Sequence, residues 1–186
     1  MSWIDEIRAY APCNEQEEVD KKGILNCIEN QENILTRDNE LAHITSSSFI
    51  VNKKRDKALM IYHNIYNSWA WTGGHADGEE DLLEVAIREA KEETGIQNIR
   101  PLSEDIASLD ILSVVGHVKR GKYVSAHLHL SVAYLLQGDD SEELKIKPDE
   151  NSGVKWIPID EIFKYSSEAE MHKVYEKLIN KIHKLK

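Results

Sequence analysis

Hydrophobic and polar positions alternate along the middle of the chain in a pattern typical of β-strands. The alternation runs through residues 41–51 and returns at residues 57–63, after a polar turn. Further strands are predicted near residues 108–118 and 123–136, and a short strand ends at Trp156. The central part of the chain is therefore predicted to form a sheet.

A helix interrupts these strands, and more helix follows them. Apolar positions repeat with a helical period in residues 81–94, where Asp81 lies near the cap and Gly95 ends the helix. A second helical stripe passes through residues 171–182. Strands with a helix among them and helices after them favour a layered α/β fold.

Residues 1–39 differ from the rest of the chain. They are charged, poor in strand signals and divided by Pro12 into two helical patterns, the second with Ile24 and Ile28 on one face. So few apolar residues cannot form a core by themselves. We predict a helical N-terminal extension that packs on the domain formed by residues 40–186 or on a second subunit of a homodimer. A lid or specificity element over the substrate is the alternative.

Composition and charge narrow the functional classes. With 186 residues and 41% hydrophobic content, the chain can bury one sizeable core. A net charge of −10 argues against a nucleic acid polymer as partner, because such partners need a basic surface. A small phosphorylated metabolite remains compatible with this charge if metal ions supply positive charge locally.

The sequence also bears on the compartment. No apolar run approaches the roughly 20 residues of a membrane span, and Asp5 and Glu6 stand where a signal peptide would be basic and then apolar. Cys13 and Cys27 have no metal-site spacing and form no disulfide framework, so we expect free thiols. We predict a cytoplasmic protein with no membrane partner.

Three carboxylates stand out on the helix predicted at residues 81–94. At about 100° per residue, Glu89, Glu92 and Glu93 continue the apolar stripe instead of facing away from it. They repel one another, and they lie in the C-terminal half of the helix, where the macrodipole favours cations. A bound Mg²⁺ or Mn²⁺ would remove both penalties, since such ions prefer oxygen ligands. Taken alone, the pattern is more typical of a solvated charged face.

The context of these carboxylates changes that interpretation. Residues 74–96 match the pattern G-x5-E-x7-R-E-U-x-E-E-x-G-U, in which U is an aliphatic residue. This complete box resembles that of the Nudix hydrolase family. The resemblance is close over residues 69–96 and looser over residues 41–186, and it implies a mixed β-sheet sandwiched between α-helices. One departure is Thr72, where many members have proline before the glycine pair, and it affects loop stiffness more than chemistry.

The resemblance also implies roles for residues of the box. Glu92 and Glu93 would be metal ligands, and Glu89 would be a ligand or the base that accepts a proton from water. The backbone carbonyl of Gly73 would be a further metal ligand, since a backbone oxygen suits a hard ion.

Three further residues are assigned supporting roles by the same resemblance. Arg88 would orient a neighbouring carboxylate, and Glu80 would fix the loop against the helix; a purely structural salt bridge is the alternative for both. Glu150 precedes Trp156 by six residues and is our candidate for an added acidic ligand, against the alternative of a solvated loop acid.

Candidates for substrate contact are less specific. Trp69 could stack on a base, although core or sheet packing is the more common role of such a residue. His127 and His129 share the polar face of one strand, which is either exposed to water or turned toward a polar cleft. His75 and His63 are lesser candidates.

The expected function is Mg²⁺- or Mn²⁺-dependent cleavage of a pyrophosphate bond in a small nucleoside-diphosphate-linked metabolite. A nucleotide sugar, ADP-ribose or a (deoxy)nucleoside triphosphate would be such a substrate. A non-catalytic module that senses a nucleotide is one alternative. An isopentenyl-diphosphate isomerase-like enzyme is another, but its chemistry needs a cysteine in the cleft, and both cysteines lie in the N-terminal extension.

Overall fold

The computed structural model describes residues 2–119 and 121–185. The elements of this part of the chain are, in order, α1 (Trp3–Ala9), α2 (Glu15–Asn30), β1 (Ala42–Val51), β2 (Lys57–His63), β3 (Ser68–Ala70), β4 (Thr72–His75), α3 (Leu82–Thr94), β5 (Ile99–Pro101), β6 (Ser108–Val114), β7 (His117–Lys119), β8 (Lys122–Val124), β9 (His127–Gly138), β10 (Asn151–Pro158), α4 (Ile162–Tyr165) and α5 (Ala169–Lys184).

Strand β1 lies at the centre of the main sheet, whose order is β10-β2-β1-β9-β5. It runs parallel to β9 from Ala42↔Leu128 to Val51↔Gln137, whereas β4 pairs with it antiparallel, with Thr45 opposite His75. Strand β6 pairs antiparallel with β9. Every residue of β1 is buried, as expected for a strand covered on both faces. The predicted mixed sheet with helices is confirmed.

The side chains of β1 alternate between two buried layers. Ile44 and Ile50 join the cluster that contains Leu82 of α3, while Phe49 joins the cluster that contains Tyr175 of α5. Burying apolar groups on both faces holds α3 and α5 in place, at about 25 cal/mol for each Å² removed from water.

Helix α3 begins and ends close to the predicted residues. The Asp81 side chain accepts a hydrogen bond from the backbone N–H of Glu84 (3.1 Å), and Gly95 closes the helix in the left-handed region with φ of 77°. The orientation of its carboxylates follows from these local signals and from the burial of its apolar face.

The N-terminal extension is helical and packs on the rest of the chain. Ile7 of α1 and Ile24 of α2 are fully buried in the same cluster as Ile44. The Glu17 carboxylate of α2 lies 3.0 Å from the ammonium group of Lys177 on α5, which also lies 2.6 Å from Asp110 of β6. A buried ion-pair network therefore joins the extension to the sheet and to the last helix.

The carboxyl group of Glu17 is held in its charged form. Burial would raise its pKa, but hydrogen bonds from the Tyr10 hydroxyl (2.6 Å) and the Cys13 N–H (2.8 Å), together with Lys177, lower the pKa from 4.5 to about 2. The charge is stabilised by partners from the connection between α1 and α2 and from α5.

Within the described residues, no helix combines the length and the apolar character that a membrane crossing requires.

Replacing Lys177 by alanine should destabilise the fold. The change leaves the carboxylate of Asp110 buried without a cation and that of Glu17 with only Lys181, 3.7 Å away, so we expect a loss of about 3 kcal/mol in the free energy of unfolding. Urea denaturation followed by circular dichroism would measure it. Lys173→Ala, at an exposed position on the same helix, is the control and should change stability little. Equal effects of the two variants would contradict the assigned role of Lys177.

The same network predicts a loss of stability in acid. Because the pKa of Glu17 is lower in the folded protein, the stabilisation is fully present above the ordinary pKa of 4.5 and is lost as pH falls from 4.5 to about 2. Urea midpoints measured across this range should fall less steeply in Glu17→Gln than in the wild type. Glu18→Gln, at an exposed neighbouring position, should keep the wild-type slope. A wild-type slope in Glu17→Gln would refute the assignment.

Candidate functional site

A cavity of about 980 Å³ opens between the sheet and helix α3. Acidic residues, histidines and aromatic residues share its wall. The lining includes Glu89, Glu92, Glu93, Lys147 and Glu150, together with Tyr66, Trp71, Tyr123, His43, His75, His127 and His129. Its volume is at the upper end of the range usual for small-molecule sites.

Two glycines of β4 allow α3 to approach the sheet. The backbone N–H of Gly73 donates a hydrogen bond to Oε2 of Glu93 (3.0 Å). A Cβ atom at Gly74 would lie 2.5 Å from Cδ of Glu89, so any larger residue at position 74 would displace that carboxylate. The glycine pair therefore sets the distance between the strand and the acidic face of the helix.

Glu93 is the most buried of the three predicted ligands, with 2% of its surface exposed. Burial, followed by the charges of Glu150 and Glu89, raises its pKa to about 8, while the hydrogen bond from Gly73 opposes the rise. The amide of Asn151 also holds the residue by donating to its backbone carbonyl (2.9 Å). A buried carboxyl group beside other carboxylates is stabilised in its charged form when a cation binds there.

Glu89 and Glu92 lie beside Glu93 on the cavity wall. Burial and the charge of Glu92 raise the pKa of Glu89. Glu92 is exposed, and its Oε2 atom lies 3.0 Å from the ammonium group of Lys147. The structure thus brings together the three carboxylates for which the helical spacing predicted a common face.

Glu150 reaches the same cavity from the loop before β10. Its Oε2 atom lies 3.2 Å from the ammonium group of Lys147, which therefore bridges Glu150 and Glu92. Sequence reasoning did not single out Lys147, because Glu92 lies on another element, and the i,i+3 spacing to Glu150 within one loop carries no functional signal by itself. The lysine balances part of the negative charge at this end of the cavity.

Arg88 lies beside two carboxylates, and that of Glu80 is not one of them. Its guanidinium forms an ion pair with Glu79 and lies 3.6 Å from Glu89, whereas the Glu80 side chain is exposed and has no ion pair among the described residues. The reason is geometric: the loop turns through Asp77 and Gly78, both with positive φ, and this turn brings Glu79 over the helix. The predicted contact between loop and helix exists, but Glu79 makes it.

Trp69 lies away from the cavity wall. Its ring packs edge-on against Tyr62 and Tyr165, with the ammonium group of Lys155 4.6 Å from the ring centroid. Among the described residues that line the cavity, Trp71 is present and Trp69 is not. The expected substrate contact of Trp69 is therefore not provided by this geometry, and Trp71 offers an aromatic surface in its place.

The polar face of β9 is turned toward the cavity. His127 and His129 both line it, which decides between the two orientations left open for this strand. His43 and His75 lie beside them, with ring centroids 4.9 Å apart. Sequence reasoning missed His43, because a single histidine at the start of a strand carries no spacing signal.

The carboxylate end of the cavity has the donor set of a hard divalent cation. Carboxylate oxygens converge from α3 and from the loop before β10, and the backbone of Gly73 lies against Glu93. Oxygen-rich sites of this kind suit Mg²⁺ or Mn²⁺, and the raised pKa of Glu93 shows how poorly the carboxylate is solvated without a cation. The residues present therefore fit such an ion.

Comparison with known sequences finds a matching domain family and similar hydrolases. The model of the NUDIX domain matches residues 42–180. An RNA pyrophosphohydrolase of Pelagibacter ubique is 29% identical over 139 residues, which cover 72% of this chain and 87% of that protein. A CMP-5'-(N-acetyl-N-hydroxy-3-aminopropyl)phosphonate hydrolase of Streptomyces rubellomurinus is 30% identical over 118 residues, covering 60% of this chain and 50% of that protein.

Solved structures share the fold. A C. elegans Ap4A hydrolase has a TM-score of 0.55 and 21% identity, and a NUDIX-family hydrolase from Clostridium perfringens has a TM-score of 0.54 and 24% identity. Each comparison covers 75% of this chain and 97% of the other. The matched family range contains the whole box from Gly74 to Ile96 and most of the chain, and the protein therefore belongs to the Nudix hydrolases, which cleave pyrophosphate bonds.

Proposed function

We propose that this protein uses Mg²⁺ or Mn²⁺ to hydrolyse the pyrophosphate bond of a small nucleoside-diphosphate-linked metabolite. The buried Glu93 carboxylate, placed between the Gly73 N–H and two other carboxylates, is the observation that carries this proposal. If this face of α3 were solvated, the Glu93 carboxylate would lie in water, and its charge would need no cation to stabilise it.

Residues of α3 would hold the ion and organise the reaction. Glu92, Glu93 and the carbonyl of Gly73 would be its ligands, and Glu150 would add a carboxylate from the loop before β10. When bound, the ion would neutralise phosphate charge and make attack by water easier.

The remaining roles in the reaction would belong to Glu89 and Arg88, whose side chains lie beside each other. Glu89, whose pKa is raised by burial and by Glu92, would accept a proton from the attacking water. Arg88 would keep Glu89 in position, because its guanidinium is fixed on the other side by Glu79. Glu80 would contribute only through the loop backbone.

Three features favour a small nucleotide as substrate. The cavity of about 980 Å³ can enclose a nucleoside diphosphate with a modest substituent, and Tyr66 and Trp71 offer aromatic surface for a base. The net charge of −10 disfavours a long polyanion. The two curated relatives are named as an RNA pyrophosphohydrolase and as a hydrolase of a CMP-linked phosphonate, so a nucleotide unit is common to both names.

The isomerase alternative is disfavoured by the same cavity. Among the described residues that line it there is no cysteine. Cys13 is exposed and Cys27 is partly buried beside the N-terminal helices. A sensing module without turnover would bind a nucleotide but would release no product, so the assay below separates it from an enzyme.

Replacing Glu92 or Glu93 by glutamine should abolish most of the activity. Glutamine keeps the size of the side chain but removes a charged ligand, so we expect turnover to fall by at least about 100-fold. The assay would present nucleotide sugars, ADP-ribose, dinucleoside polyphosphates, nucleoside triphosphates and a 5′-triphosphorylated RNA with Mg²⁺, and would identify products by mass spectrometry. Glu84→Gln, at an exposed position of the same helix, is the control and should retain activity.

Different outcomes of this assay have different meanings. Unchanged turnover in both glutamine variants would reject the assigned metal ligands. Faster cleavage of the RNA than of every small nucleotide would reject the small-metabolite substrate class while leaving the site intact. Ligand-induced thermal stabilisation without any product would favour the sensing module.

Replacing Gly74 by alanine should damage the site and spare the fold. The new Cβ would lie 2.5 Å from Cδ of Glu89, so the carboxylate must move away from β4. We expect turnover to fall by about 100-fold, in line with the loss of a positioned metal-site residue. Steady-state kinetics over a range of Mg²⁺ concentrations would measure the loss, and circular dichroism would check the fold. Wild-type kinetics in a folded variant would show that the close approach is dispensable.

A further inference from the structure

Four histidines meet on the wall of the cavity, apart from the carboxylates of α3. His43 comes from β1, His75 from β4, and His127 and His129 from β9. One ring nitrogen of each lies within 4.8 Å of the corresponding nitrogen of the other three. The register explains the meeting, because β1 and β9 pair in parallel with His43 opposite His129, and His75 stands opposite Thr45, two residues along β1.

The hydrogen bonds of two rings fix which nitrogen carries the proton. Nδ1 of His43 lies 2.9 Å from the carbonyl oxygen of Asn39, and Nδ1 of His127 lies 2.8 Å from the carbonyl oxygen of Ser125. A carbonyl can only accept, so both Nδ1 atoms are protonated, and in the neutral form of each ring Nε2 carries the lone pair. Histidines that bind metals are oriented in the same way, by a backbone carbonyl at the other nitrogen.

The Nε2 atom of His43 has no partner. The His43 side chain is 4% exposed, and its Nε2 atom is buried with no hydrogen bond in the structure. A buried acceptor of this kind is normally satisfied, so a missing ligand is a direct explanation for it.

Spacing at the cluster suits a tetrahedral ion. The Nε2 atoms of His127 and His129 are 3.3 Å apart. Two nitrogens bound to a tetrahedral zinc ion at 2.0–2.1 Å would be separated by about 3.3 Å. The other distances between the ligand nitrogens are at most 4.8 Å. Small rotations of the remaining rings would bring their nitrogens to a shared ion.

All four donor atoms that converge here are imidazole nitrogens. Neutral imidazoles are ligands for zinc and related transition metals, whereas Mg²⁺ prefers oxygen.

We infer that His43, His75, His127 and His129 form a second metal site, which binds a first-row transition-metal ion of the zinc class. The site is separate from the carboxylate site proposed above and does not depend on the identity of the substrate. Because its ligands come from β1, β4 and β9, a bound ion would cross-link three strands of the sheet and raise the thermal unfolding temperature.

Metal uptake by the full chain tests this inference. Protein stripped with a chelator would be loaded with Zn²⁺ in the presence of millimolar Mg²⁺, dialysed against Mg²⁺ and analysed for metal content. We expect about one zinc ion per chain to be retained, and Co²⁺ in its place to give the strong visible absorption of a tetrahedral nitrogen site. Thermal unfolding would be followed in parallel.

Variants assign the bound ion to its ligands. His127→Gln should weaken zinc binding by at least about tenfold, and His127→Gln with His129→Gln should abolish retention. The His127 side chain is partly exposed in the wild type. The single variant His127→Gln is therefore the one to use if the double variant does not fold. His183→Ala, at an exposed position of α5, is the control. A Glu92→Gln, Glu93→Gln double variant should still retain zinc, even though its hydrolase activity is lost.

Three results would overturn the inference. The first is failure of zinc to remain bound in excess Mg²⁺, and the second is equal retention of zinc by the folded His127→Gln variant. The third is loss of zinc on substitution of the glutamates alone, which would place the ion at the carboxylate site.

Discussion

The close contact between helix α3 and the backbone of β4 is the constraint on which the site depends. Gly73 donates its N–H to Glu93, and a side chain at position 74 would collide with Glu89. Carboxylates can lie this close to a strand only where the strand has no side chains to exclude them. The repulsion among these acids is tolerated because Leu82 and Ala86, on the adjoining face of the helix, are buried in the core.

The same strand connects two kinds of donor atoms in one cavity. Oxygen donors from α3 and the loop before β10 occupy one part of the wall, and the imidazoles of His75 and its three histidine neighbours occupy another. Their chemistry differs, since carboxylates favour a hard ion and imidazoles favour a softer one. Burial has opposite effects on the two sets of pKa values, raising that of Glu93 and lowering that of His129, because in each case it disfavours the charged form.

The N-terminal helices are tied into this arrangement. Their apolar residues enter the core beside α3, and Glu17 reaches a cation on the last helix. The partners of that ion pair are 160 residues apart in sequence, from position 17 to position 177, so the chain ends are held together by a buried interaction. The stability of this buried ion-pair network depends on each of its residues keeping its charge.

The sequence by itself determined the features that depend on neighbouring residues. Helix α3, its cap at Asp81, its end at Gly95 and the common face of its carboxylates follow from helical periodicity over one short segment. The strand pattern of β1 and the membership of the family follow in the same way from contiguous residues.

Only the tertiary structure decided which distant residues meet. The choice of Glu79 over Glu80 as the partner of Arg88 depends on the path of the loop before α3. The position of Lys147 between two carboxylates depends on how a different loop, between β9 and β10, packs against α3. The meeting of His43 with His129 depends on the register of two strands that are 86 residues apart in sequence. Sequence periodicity gives the direction of a side chain relative to its own element, but the pairing of elements is fixed by the packing of the whole core.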